Sequence, residues 1–119
     1  METATNILIG IVAALHLYFL VLEMFLWDKA AGFRAFGHTP EEAVLTKKLA
    51  ANQGLYNGFL SAGLIWGIVS GGHLGFHINI FFLTCVIIAG IFGAVTVSRK
   101  IFFIQALPAL IALIMLHLH

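Results

Sequence analysis

The chain has 119 residues, of which 61% are hydrophobic and only 9% charged, with six Lys and Arg against five Asp and Glu. Soluble domains carry charge at about a quarter of their positions, so a soluble globular domain is excluded, and no basic patch of the kind that binds nucleic acid is present. The apolar residues run in long blocks, which is the pattern of an all-α integral membrane protein.

Four blocks are long enough to cross a hydrocarbon core, which takes about 20 residues of helix. Helices are predicted at residues 7–27, 40–69, 76–97 and 101–117, forming a single domain built as an up-down antiparallel four-helix bundle. A β-barrel would need period-2 alternation, which is absent.

The first helix follows "METATN", which carries an acid and no Lys or Arg, so it does not read as a signal peptide. It holds His16 and Glu23, seven residues apart and therefore on one face. Counted back from Trp27, Glu23 lies about 6 Å inside the membrane and His16 about 16 Å, near the midplane.

The first connection contains "DKAAGFRAF", where Phe33 and Phe36 sit beside Lys29 and Arg34, as suits an interfacial segment. In "HTPEEA", Thr39 is a predicted N-cap, Pro40 the first helical residue, and Glu42 the partner in a capping box. The second helix is then roughly 45 Å long, more than the bilayer core needs. Its "AANQGLYNGF" places Asn52 and Gln53 at the depth of Glu23, with Tyr56 and Asn57 one turn deeper. Gly54, Gly58 and Ala62 form a small-residue stripe suited to close helix packing, read first as packing within the chain.

Gly71 and Gly72 end the second helix. The third carries Cys85, a lone cysteine that excludes an internal disulfide, and two small-residue pairs, Ala89 with Gly93 and Gly90 with Ala94. The turn "SRK" is short enough to make helices three and four antiparallel neighbours. On the fourth helix, Gln105 enters at the depth of Glu23, and Pro108 is expected to kink the helix and free the carbonyl of Ile104.

All six basic residues fall in two connections: Lys29, Arg34, Lys47 and Lys48 in the first, and Arg99 and Lys100 in the third. By the positive-inside rule both are cytoplasmic and both termini face outward. His73, His77, His117 and His119 share the outer side, but their spacing matches no ligand motif, so no metal site is predicted, and no cofactor.

Glu23, Asn52, Gln53, Tyr56, Asn57 and Gln105 therefore converge on the cytoplasmic half, with His16 at the deep end. Such side chains can serve only as glue between helices, for about 0.6 kcal/mol per hydrogen bond. An ionisable group within the membrane otherwise marks a functional site.

Two stretches, "LHLYFLVLEMFLW" and "LAANQGLYNGFLSAGLIWG", resemble the hallmark segments of a family of small bacterial four-helix membrane proteins, domain of unknown function 1304. The resemblance covers essentially the whole chain. It implies fold and membrane location but supplies no activity and no catalytic residue.

Three functions remain open. The first is a polar pocket, open to the cytoplasmic side, that binds a small apolar or amphiphilic ligand. There His16 and Glu23 would do acid–base chemistry, while Asn52, Gln53, Tyr56, Asn57 and Gln105 hold the ligand. The second is a proton-coupled exporter resembling small multidrug exporters, whose antiparallel dimers need a weaker charge bias than this one. The third is an accessory or structural membrane subunit. Monomer and homodimer are both open.

Overall fold

The computed structural model describes residues 2–118. Five α-helices follow in order: α1 (Glu2–Met24), α2 (Ala30–Phe36), α3 (Pro40–Ser70), α4 (Gly72–Thr96) and α5 (Leu107–His117), with a π-helical turn at Phe102–Ala106 leading into α5. No strand occurs among the described residues. α1 and α4 are each long and apolar enough to cross a membrane.

The helix ends differ from expectation for local reasons. α1 begins at Glu2 because the polar "ETATN" continues the helix through its first turn. It stops at Met24, three residues short of Trp27, where the amides of Phe25 and Leu26 both bond to the carbonyl of Val21, at 3.0 and 3.2 Å. That shared acceptor unwinds the last turn. The predicted capping box is formed: the Thr39 amide donates to Glu42 Oε1 at 2.9 Å, and the Glu42 amide donates to Thr39 Oγ1 at 3.2 Å. α3 ends where Gly71 and Gly72 take φ of 62° and 57°, the left-handed region that a side chain disfavours. Reversal there lets α4 start at once, four residues earlier than predicted.

The disturbance expected around Pro108 is a π turn just ahead of it. The Leu107 amide reaches back five residues to the Phe102 carbonyl. Pro108 has no amide to continue the ladder, and the wider register absorbs the gap.

The chain divides into two compact units, and the division falls within α1 and within α3. One comprises the chain up to Ala13 and everything from Leu60 onward. Its core is Ile9, Val12 and Ala13 of α1, Leu64 of α3, Leu83 and Val86 of α4, and Ala109, Ala112 and Leu116 of α5. Small residues let the backbones approach: a Cβ on Gly90 would lie 2.7 Å from the Ala106 amide nitrogen. Ser61 Oγ donates to the Ala13 carbonyl at 2.8 Å, a polar tie in an apolar core.

The other unit is Ala14–Phe59. α2 packs so closely on the preceding turn that a Cβ on Gly32 would run into the carbonyls of Leu26 and Trp27. The indole of Trp27 stacks on His38 at 4.0 Å between centroids, with Phe33 edge-on to the same imidazole at 5.3 Å. Trp27 Nε1 donates to Thr46 Oγ1 at 3.0 Å, and His38 Nε2 lies 2.8 Å from the Trp27 carbonyl. This aromatic nest ties the first connection to the start of α3.

Candidate functional site

The site lies within the Ala14–Phe59 unit, where α1 meets α3. Buried residues on α1 recur at Thr5, Ile9, Val12, His16 and Glu23, at spacings of three, four and seven. On α3 they recur at Ala50, Gly54, Asn57, Ser61 and Leu64, again three and four apart. Such spacing keeps one narrow face of a helix toward its neighbour. His16 and Glu23 occupy seam positions, and so does Asn57.

Glu23 is only 3% exposed and Asn57 8%. Asn57 Nδ2 donates to Glu23 Oε1 at 2.5 Å. The carboxyl group therefore points into the protein. Gly54 makes the approach feasible, since a Cβ there would stand 3.0 Å from the Glu23 Cβ and 3.2 Å from the Leu20 carbonyl oxygen. Gly58 faces Leu20 in the same way. The Gly54 and Gly58 stripe thus packs α3 on its own chain, and Ala62, the third member, is exposed.

His16 has no exposed surface, and its ring meets Phe19 edge-on at 5.6 Å. It sits two turns along α1 from Glu23 on the same seam. An acid bonded to an amide, with a buried imidazole further along one helix, can accept, hold and release a proton.

The remaining predicted residues are placed differently. Asn52, Gln53 and Tyr56 lie on the exposed side of α3. At 100° per residue, a seam that buries Gly54 and Asn57 turns those three away. Convergence of the whole segment on Glu23 is thus corrected to Asn57 alone. Gln105 falls in the π-helical turn of the other unit, half-buried. Among the described residues, no three of His, Cys, Asp and Glu stand together as metal ligands would. In the other unit His73 and His77 are edge to face at 4.5 Å, while His117 packs on Phe76 and His119 lies outside the described residues.

Three buried polar residues escaped the sequence reading: Thr5 of α1, Ser61 of α3 and Asn79 of α4. Asn79 is 4% exposed. Its signal was present: Gly75, Asn79, Leu83, Val86 and Gly90 repeat at three and four, which places an amide on the buried face of α4.

The profile of the family described as Protein of unknown function (DUF1304) matches residues 10–117. The uncharacterized protein YpaA of Lactococcus lactis subsp. lactis (strain IL1403) is similar, 31% identical over 116 residues that cover 94% of this chain and 96% of YpaA. No solved structure matches the chain. Both His16 and Glu23, and the whole of α3, fall within the matched stretch, as the two hallmark segments led one to expect. The chain belongs to the DUF1304 family.

Proposed function

We propose that the chain is a small multi-pass membrane protein with a buried polar site near its cytoplasmic face. There Glu23, with Asn57 and His16, binds a small apolar or amphiphilic molecule and moves a proton to or from it. Four segments cross the bilayer in this reading: α1, α3, α4, and the π turn with α5, as an up-down bundle in a bacterial inner membrane. Only 33% and 28% of the most apolar windows of α1 and α4 are buried, whereas the central helix of a soluble core is mostly buried. Their outward surface carries Ile7, Ile11, Phe81, Ile88 and Phe92, which lipid would cover. With every Lys and Arg either between α1 and the first turns of α3 or between α4 and the π turn, those ends face the cytoplasm and the termini face out.

The Glu23–Asn57 bond carries the functional part of the reading. An acid within a membrane helix costs up to about 3 kcal/mol, less toward the boundary. A packing seam gains nothing from an acid that a leucine would not supply. The bond to Asn57 lowers that cost while leaving the carboxyl as a proton acceptor or donor. Native mass spectrometry of the protein in lipid particles tests this. Wild type is expected to carry or take up a small amphiphile that Glu23→Gln and His16→Ala lose while still folded. Equal retention by all three would remove the site.

An accessory subunit is the second reading, favoured by the exposed Asn52, Gln53 and Tyr56 of α3. Amides in or near lipid seek partners, and another protein's helix could supply them. Under this reading Glu23→Gln is silent and a larger protein co-purifies. Export ranks below both, because total charge bias opposes the dual insertion an antiparallel dimer requires.

A further inference from the structure

Gly72 opens α4, so His73 and His77 fall four residues apart in its first two turns and on one face. Both are exposed. They belong to the unit that contains Leu60 onward, and the function proposed above makes no use of them. As a set, the four outer histidines match no ligand spacing, but the helix sets these two apart. Two histidines at this spacing on one helix face are how helical zinc sites hold their ion.

Hydrogen bonding decides which nitrogen is available. His77 Nδ1 lies 2.9 Å from the His73 carbonyl oxygen. A carbonyl only accepts, so Nδ1 carries the proton and Nε2 keeps a bare lone pair on an exposed ring. Histidines that ligate metals are held in this way, their second nitrogen donating to a carbonyl or carboxylate.

The ring centres of His73 and His77 stand 4.5 Å apart, with their planes at 68°. An imidazole binds a metal at about 2.0 Å, which sets its ring centre about 3.2 Å from the ion. Two such rings at a right angle about the ion have centres about 4.5 Å apart, and at a tetrahedral angle about 5.2 Å. Turning the exposed His73 ring about its Cβ–Cγ bond re-aims Nε2 while leaving the ring centre in place. The separation suits neighbouring positions on an ion with right-angled ligands.

We propose that His73 and His77 bind one divalent first-row transition-metal ion through their Nε2 atoms, with water in its other positions. Nitrogen ligands at a right angle favour Cu(II), then Ni(II), over tetrahedral Zn(II), and Mg(II) and Ca(II) prefer oxygen. Among the described residues no third His, Cys, Asp or Glu joins the pair. The affinity is therefore that of a two-histidine chelate, and the positive end of the α4 dipole lowers it further.

The test is a calorimetric titration of the full chain, in detergent and without a polyhistidine tag, with nickel chloride. One ion per chain is expected. Affinity should be at least about tenfold weaker in His73→Ala and in His77→Ala, because even groups that only support a ligand are worth that much. Both positions are exposed, so the variants keep their fold, which circular dichroism checks. His117 is the control: its Nδ1 also lies 2.9 Å from a carbonyl, that of Leu113, but no histidine stands four residues from it. His117→Ala should bind Ni(II) as wild type does. With one equivalent of Cu(II), electron paramagnetic resonance should show two imidazole nitrogens, reduced to one in His73→Ala or His77→Ala. The absence of saturable Ni(II) binding would overturn the proposal. An unchanged affinity in either variant, or an equal loss in His117→Ala, would do the same.

Discussion

Lys47 is paired with Asp28, 2.9 Å between Nζ and Oδ2, and not with Glu23. Lys47 of α3 is thus committed to the first connection, and the Glu23 carboxyl is bonded to Asn57 inside the protein. The two acids differ only by five positions in the chain, yet one is partly solvated with a lysine and the other is buried with an amide. That difference separates a solvent-screened surface ion pair, which contributes little, from a buried polar pair whose acceptor would be left without its donor if the bond were broken.

Breaking the Glu23–Asn57 pair from either side should destabilise the fold unequally. In Glu23→Gln the side chain keeps its shape and the Asn57 Nδ2 keeps an acceptor, so unfolding in detergent should be near wild type. Asn57→Leu leaves a buried carboxyl without its donor, and the loss should be about 1–3 kcal/mol. The double variant Glu23→Leu with Asn57→Leu should recover much of that. A fully additive loss in the double variant would mean that the bond contributes nothing.

The glycines of α3 should rank by what their missing Cβ would meet. At Gly54 it would press on the Leu20 carbonyl oxygen and the Glu23 Cβ, which cannot move without the α1 backbone. At Gly58 it would meet the end of the Leu20 side chain, which can rotate away. Gly54→Ala should therefore cost about 1–3 kcal/mol and Gly58→Ala less, measured by thermal unfolding of the monomer. The reverse order, or a change only in oligomeric state, would place this face at an interface between copies.

The long helices, the capping box and the close-packed glycines were legible because each is written locally, whereas the short α2, Ala30–Phe36, was read only as an interfacial segment. Thr39, Pro40 and Glu42 announce their own start, and Gly71 and Gly72 their own stop. The site was half legible. His16 and Glu23 stood out as ionisable groups in an apolar run, but choosing among Asn52, Gln53, Tyr56 and Asn57 required the azimuth of α3 against α1. The Gly54 stripe was the missing clue: Asn57 lies next to it on the helix, and the other three do not. Asn79 was overlooked because one amide in an otherwise apolar helix carries no local signature until its neighbours are read at three-and-four spacing.

Acid should loosen the first connection before the rest of the chain. The Thr39 amide holds the Glu42 carboxyl below its ordinary value of 4.5, and the Lys47 bond holds Asp28 below 3.8. For a carboxyl depressed in the folded state, the stabilisation is complete above the ordinary value and fades as pH falls through the folded one. Trp27 fluorescence, which reports the nest around His38, should thus change on acidification below the usual carboxylate range. Thr39→Ala should move that change to higher pH, because it removes the hydroxyl that caps Glu42 and frees the start of α3. An identical acid profile in this variant would detach the capping box from the stability of the connection.

The orientation can be read from single cysteines in a chain where Cys85 is first replaced by alanine. Cys85 is half-buried and lies mid-helix in α4, so a small apolar substitute fits its place. Thr3→Cys then reports the N-terminal end of α1, and Ala35→Cys reports α2, where Arg34 and the neighbouring lysines lie; both positions are exposed. The six basic residues share one side in the proposed topology, and the bias has no exception to weaken it. An impermeant thiol reagent applied to intact cells should label Thr3→Cys and spare Ala35→Cys, with both labelled after lysis. Labelling of Ala35→Cys alone would invert the topology and move Glu23 and Asn57 to the outer half of the membrane. Labelling of both positions in intact cells would mean that the chain inserts in two orientations, which restores the antiparallel dimer and with it the export reading.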